Sequence, residues 1–172
     1  MCCEKIYIIG IVASGKSTLA RLMEKKLDIP HHEVDVIVHG EKGELAHRRM
    51  PAQQLEMIQR IDSEGGWIIE GTYRPSCHCL LDMADVIVFL DPPLRVRKRR
   101  ILTRFLKQQL RIESCRYESN IGMLRDMYRW TNDFERDRPK FEAMLSIYET
   151  KLIRATSTAD ALDKLLSNRD QR

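Results

Sequence analysis

Eight consecutive residues, Gly10-Ile11-Val12-Ala13-Ser14-Gly15-Lys16-Ser17, match G-x-x-x-x-G-K-[ST] without a mismatch. Each residue type has a reason to be there if the ligand is a chain of phosphates. The glycines let the backbone turn tightly, so that amide N–H groups over Gly10, Ala13, Ser14 and Gly15 point inward. The positive end of a following helix, carrying Lys16, Ser17 and Thr18, faces the same anion. Lys16 would reach the β- and γ-phosphates, and the Ser17 hydroxyl is a hard oxygen ligand suited to Mg²⁺. At average residue frequencies such a match arises by accident in roughly one chain of this length in a few hundred. The expected cofactors are therefore ATP or another nucleoside triphosphate, with Mg²⁺.

A phosphate cradle needs a strand before it and a helix after it. Ile6 to Ile9 is a short β-branched run ending at Gly10, and Leu19, Leu22, Met23 and Leu27 recur at helical spacing before Pro30. Val34 to Val38 reads as a second strand interrupted by Asp35. Pro51 suits the first position of a helix that runs to about Ser63 and stops at Gly65-Gly66. Trp67 to Ile69 and Asp85 to Leu90 read as the third and fourth strands. Lys151 to Ala155 reads as a fifth, before a helix over Ala159 to Leu166 capped by Thr158. Strands alternating with helices imply an α/β fold with a parallel sheet covered on both faces, whose ligands bind beyond the carboxyl ends of the strands. Asp35, Glu70 and Asp91 fall at or near such ends and are expected to line one crevice.

The composition agrees with one compact unit, residues 1–172. The chain is 43% hydrophobic and 31% charged, and it has no repeat or low-complexity tract. Its five cysteines, Cys2, Cys3, Cys77, Cys79 and Cys115, are odd in number and irregularly placed, which predicts reduced thiols. Cys77-His78-Cys79 lacks the spacing of a zinc knuckle. No apolar run approaches the roughly 18 residues that span a bilayer, and Met1 to Gly10 lacks the features of a secretory signal. The cytoplasm is the expected location, with no membrane partner. Nine of the 29 Lys/Arg but only one of the 25 acids lie between residues 95 and 116. Such a segment marks a local polyanion site.

Within this frame the chain resembles the adenylate-kinase-like superfamily of small P-loop kinases, and within it the branch of topology modulation proteins (FlaR-related). The likeness rests on Lys5 to Gly10 with its cradle, Ile29-Pro30-His31 leading to Val34-Asp35, Trp67-Ile68-Ile69-Glu70-Gly71-Thr72-Tyr73, and Ala84 to Asp91, taken as an ordered set. The resemblance implies a three-layer P-loop fold, a five-stranded parallel sheet in the order 2-3-1-4-5, and a small helical lid near residues 95–120. It also implies site residues. Glu70 stands where relatives place an aspartate holding a Mg²⁺-bound water, a strand-end acid facing solvent being the alternative. Asp35 would contact the acceptor and take its proton, unless it is structural or linked to Mg²⁺. Arg100 and Arg104 resemble the R-x-x-x-R that opens the lid. Arg74 would grip the acceptor, with Arg49, Arg48 and Arg60 assisting. Thr156 and Ser157 would lie by the adenine.

Helical spacing places Arg97, Arg100, Arg104, Lys107 and Arg111 in one basic stripe, continued by Arg116, with Leu94, Ile101, Leu102 and Phe105 toward the core. Tyr128 and Trp130, in a helical stretch from Ile121 to Phe134, are expected to pack in the core. Phosphoryl transfer from the triphosphate to a nucleotide or small-molecule acceptor is the leading reading. A nucleotide-binding regulator touching DNA or RNA through the stripe is the alternative, and a plain NTPase is a third.

Overall fold

The computed structural model describes residues 4–40, 48–110 and 120–170. Its elements are β1 (Lys5–Ile9), α1 (Lys16–Leu27), β2 (His31–Glu33), α2 (Val34–His39), α3 (Pro51–Ser63), β3 (Trp67–Gly71), α4 (Cys79–Met83), β4 (Val86–Leu90), α5 (Leu94–Gln109), α6 (Ile121–Leu145), β5 (Leu152–Ala155) and α7 (Thr158–Asp170). The strands form a parallel sheet in the order β2-β3-β1-β4-β5. The carboxyl end of β1, which feeds the phosphate loop, lies between β3 and β4, where ligands of open α/β sheets collect.

Alternation along the strands sorts the core into two layers. Tyr7, Ile9, Trp67, Ile69, Ile87 and Phe89 face one side and pack beneath α2, α3, α4 and the lower half of α6. Ile6, Ile8, Ile68, Val86 and Val88 face the other and pack beneath α1 and α7. Both faces of the sheet are covered, so strands β3 and β4 are buried along their whole length. Glu70 shares its side with Ile68 and so lies on the α1 side, opposite Ile8 of β1.

Two elements differ from the sequence reading. Residues Val34 to Val38 are not a strand: β2 ends at Glu33, and Val34 opens a short helix. Val34, Ile37 and Val38 are buried at helical spacing while Asp35 stays exposed. A run of four valines and isoleucines around one acid fits either period, and the helical one buries the apolar groups without the carboxylate. The cap of α7 is Ser157, whose Oγ accepts the Asp160 N–H at 3.1 Å, and not Thr158. By contrast α3 starts at Pro51 and ends at Ser63, as composition predicts.

Candidate active site

The loop between β1 and α1 is shaped by its glycines. A Cβ on Gly10 would lie 2.5 Å from the Leu90 carbonyl oxygen and 2.8 Å from Ser14 Oγ. Gly15 has φ of 107°, which disfavours any side chain, and Ala13 also sits in the left-handed region at 59°. The loop thus closes over the end of β4 and delivers α1 amino-end first. Lys16 Nζ donates to the Ile11 carbonyl at 3.0 Å, which folds the ammonium across the cradle. Burial lowers the Lys16 pKa, with Glu70 and Asp35 pulling it back up and Arg104 adding to the depression. The buried Ser14 Oγ has no protein partner. A cradle of amides, an ammonium and an unsatisfied hydroxyl fits a triphosphate.

Glu70 is 4% exposed at the end of β3, and its Oε1 accepts the Ser17 hydroxyl at 2.6 Å. The solvent-facing alternative for Glu70 is therefore wrong. Burial raises its pKa, while Lys16 and the Ser17 hydrogen bond oppose the shift. Glu33, which the sequence reading missed, lies opposite Glu70 across β2 and β3 and adds to the rise. Ser17 and Glu70 put two hard oxygen donors side by side. No group of three or more His, Cys, Asp or Glu that could hold a metal occurs among the described residues. A two-oxygen protein site suits Mg²⁺, which completes its shell with phosphate and water.

Across the same cleft, Arg74 Nη2 donates to Asp35 Oδ1 at 2.7 Å. Both belong to the lining of a cleft of about 1500 Å³ that also contains Lys16, Ser17 and Glu70. Pockets for one drug-sized ligand run to about 1,000 Å³, so there is room for a nucleotide and a second molecule. Asp35 is delivered by the first turn of α2, and Val34 before it touches Gly71 at the end of β3.

Helix α5 supplies the cationic wall. Val96, Arg99, Arg100, Thr103, Arg104 and Lys107 line the cleft at spacings of three and four. Arg100 Nη1 donates to the Ser14 carbonyl at 2.8 Å and to that of Ala13 at 3.3 Å, so its guanidinium rests on the phosphate loop. Arg97 does not belong to this stripe. It is fully buried beside Ile101, with Nε on the Pro92 carbonyl and Nη2 on Glu135 of α6. Leu102 is 45% exposed and does not face the core. The signal was present in the spacing, because Arg97 lies four residues before Ile101 and shares its face. Arg111 and Arg116, with Cys2, Cys3 and Cys115, lie outside the described residues.

Other expected residues sit elsewhere. Asp91 does not line the crevice: Arg138 of α6 holds it bidentately at 2.6 and 3.1 Å, and the carboxylate ties β4 to α6. Arg49 Nη1 donates to the carbonyls of Val36 and Ile37, capping the end of α2 outside the cleft lining. Arg60 is exposed on α3 near Glu56. Cys77 and Cys79 lie in and against the core. His78 between them contacts the hydroxyls of Tyr73 and Tyr148, at 3.0 and 3.3 Å. Trp130 also departs from expectation: it is 43% exposed and lines the cleft instead of packing in the core.

No family model matches the chain. It is similar to the shikimate kinase of Chlorobium chlorochromatii, 24% identical over an alignment that covers 92% of this chain and 88% of that protein. The shikimate kinase of Chlorobium luteolum is 25% identical, over 92% and 83%. Among solved structures, Bacteroides thetaiotaomicron shikimate kinase superposes with a TM-score of 0.56 at 17% identity, covering 97% of this chain and 98% of that one. Acinetobacter baumannii shikimate kinase, in complex with shikimate, gives 0.54 at 15% identity over 96% and 94%. These proteins are not of the topology-modulation branch, and the likeness runs to shikimate kinases instead. The chain is an enzyme of the P-loop kinase type that uses ATP and Mg²⁺ to phosphorylate a small-molecule acceptor.

Proposed function

We propose that the acceptor is a hydroxyl compound held between Asp35 and Arg74, and that Asp35 takes its proton. The observation that supports this reading is the Asp35–Arg74 ion pair in the same cleft as Lys16, Ser17 and Glu70. The acceptor oxygen attacks the γ-phosphorus, the bond from phosphorus to the β–γ bridging oxygen breaks, and the hydroxyl proton passes to the Asp35 carboxylate. The products are ADP and a phosphomonoester. Lys16, Arg100 and Arg104 are the groups available to balance charge on the transferring phosphoryl, which is most of what such an enzyme must supply. Mg²⁺, held through Ser17 and Glu70, would neutralise the β- and γ-oxygens. Arg74 orients Asp35 through their 2.7 Å ion pair, and offers its remaining donors to an anionic group on the acceptor. Shikimate, for which the relatives are named, carries both hydroxyls and a carboxylate and is the first compound to assay.

A nucleic-acid regulator would need its arginines on an outer face. Arg99, Arg100, Arg104 and Lys107 line the cleft instead, which favours the kinase reading. The test is Asp35→Asn, which keeps shape but removes the proton acceptor. Turnover with a hydroxyl acceptor should fall by about 10² to 10⁴ with ATP binding little changed. Wild-type turnover would refute the role of Asp35.

A further inference from the structure

The cleft has an apolar wall that the phosphoryl-transfer machinery leaves unused. Met123, Met127 and Trp130 line it from α6 at spacings of four and three, so they lie on one helical face. Lower down, the same helix sends Phe134, Phe141 and Leu145 into the core layer beneath α2, α3 and α4. Only the upper end of the face opens to the cleft. Met127 is 5% exposed, whereas Trp130 is 43% exposed, a large indole left half uncovered in a concave site.

Position decides which ligand meets this wall. From Phe134 onward α6 packs in the layer that contains Val34 and Tyr73, the residues next to Asp35 and Arg74, and Trp130 lies one turn above Phe134. The nucleotide end of the cleft lies toward the other layer, where Thr158 of α7 and Arg100 approach Gly15. The wall therefore belongs to the acceptor side. Its surface is flat and apolar at Trp130 and deformable at the two methionines, whose thioethers also favour ring contacts. An acceptor made only of hydroxyls and charge would leave it wet and unused.

Resting on the acceptor assignment above, we propose that the acceptor carries a planar aromatic or heteroaromatic ring stacked on Trp130 between Met123 and Met127, with a hydroxyl-bearing arm that reaches Asp35. The chain provides its own probe. Of its two tryptophans, Trp67 is fully buried and hydrogen-bonded to Asp62, so only Trp130 can meet a ligand. Tryptophan emission of the full chain, with Mg²⁺ and ADP present, would be titrated with nucleosides and hydroxymethyl-pyridines as ring compounds and with shikimate and glycerate as ring-poor ones. Steady-state kinetics of the compound that is phosphorylated would accompany the titrations.

The expected result is quenching by a ring compound that Trp130→Phe, with Trp67 alone emitting, no longer shows. Trp130→Ala should raise KM for that compound on the order of tenfold, with the loss carried by KM, and Trp130→Phe should recover most of it. Phosphorylation of shikimate or glycerate through Asp35, with KM unmoved by Trp130→Ala, would overturn the ring proposal and leave the hydroxyl-acceptor reading standing. Ring-dependent quenching together with transfer that Asp35→Asn does not slow would do the reverse.

Discussion

Replacing Gly71 by alanine should slow phosphoryl transfer without touching the phosphate site. The added Cβ would lie 2.5 Å from Val34 Cβ and 2.7 Å from Val34 Cγ2. Carbon atoms rest at about 3.5–4.0 Å, so the first turn of α2 must retreat by roughly 1 Å from the end of β3. That turn carries Asp35, the next residue, and the Asp35–Arg74 pair would move with it. A misplacement of about 1 Å in a reacting group costs on the order of a hundredfold in rate. Overpacking at a buried contact also costs about 1–3 kcal/mol of stability. The assay is kcat/KM for the acceptor, with a thermal melt and an ATP titration on the same sample. The expected pattern is a large loss in kcat/KM, a modest fall in Tm and ATP affinity within about twofold of wild type. A variant with normal turnover would refute the argument that Gly71 sets the place of Asp35, and so would a loss of ATP binding equal to the loss in rate.

Arg100→Ala should lower kcat on the order of a hundredfold and ATP affinity much less, because a cation over the transferring group acts mostly on charge in the reacting complex; stopped-flow binding beside steady-state turnover separates the two. Glu70 is a buried acid with a raised pKa. The folded protein thus holds its proton more tightly than the unfolded chain does, so this group's contribution to stability is largest in acid and is lost as pH rises through the raised value. Holding Mg²⁺ needs the ionised form, so apparent Mg²⁺ affinity should fall on acidification at a higher pH than an ordinary glutamate would give. Calorimetry across a pH series should lose that dependence in Glu70→Gln. Glu135→Ala removes the carboxylate facing the fully buried Arg97 and should destabilise the fold by about 3 kcal/mol, read from chemical denaturation.

The phosphate cradle was legible because its residues are contiguous and each has its own chemical reason. So was α3, since a proline opens it and two glycines follow it. The Asp35 segment was assigned to the wrong element for a physical reason: a short apolar run has no period long enough to separate strand from helix, and burial of its neighbours settled the matter. The arginine stripe was half legible. Spacing alone draws Arg97, Arg100, Arg104, Lys107 and Arg111 into one stripe; the cleft lining keeps Arg100, Arg104 and Lys107, adds Arg99 and loses Arg97 to the interior. Arg97 is buried because Glu135, 38 residues along the chain, and the nearby Asp91 come within reach of its guanidinium. Trp130 escaped for the opposite reason, since an indole at core spacing looks like core until the fold stops short of covering it. Glu33 gave no signal at all before β2 and β3 were paired.

Whether a phosphoryl group reaches an acceptor hydroxyl is seen most directly by ³¹P NMR. Protein, Mg²⁺ and ATP would be incubated with shikimate, and separately with each ring-bearing hydroxyl compound. Phosphoryl transfer to an acceptor should give a new phosphomonoester resonance in at least one mixture, growing in step with ADP and absent when the acceptor is omitted or Lys16 is replaced by alanine. Conversion of ATP to ADP and inorganic phosphate at one rate, whatever the acceptor, would contradict it.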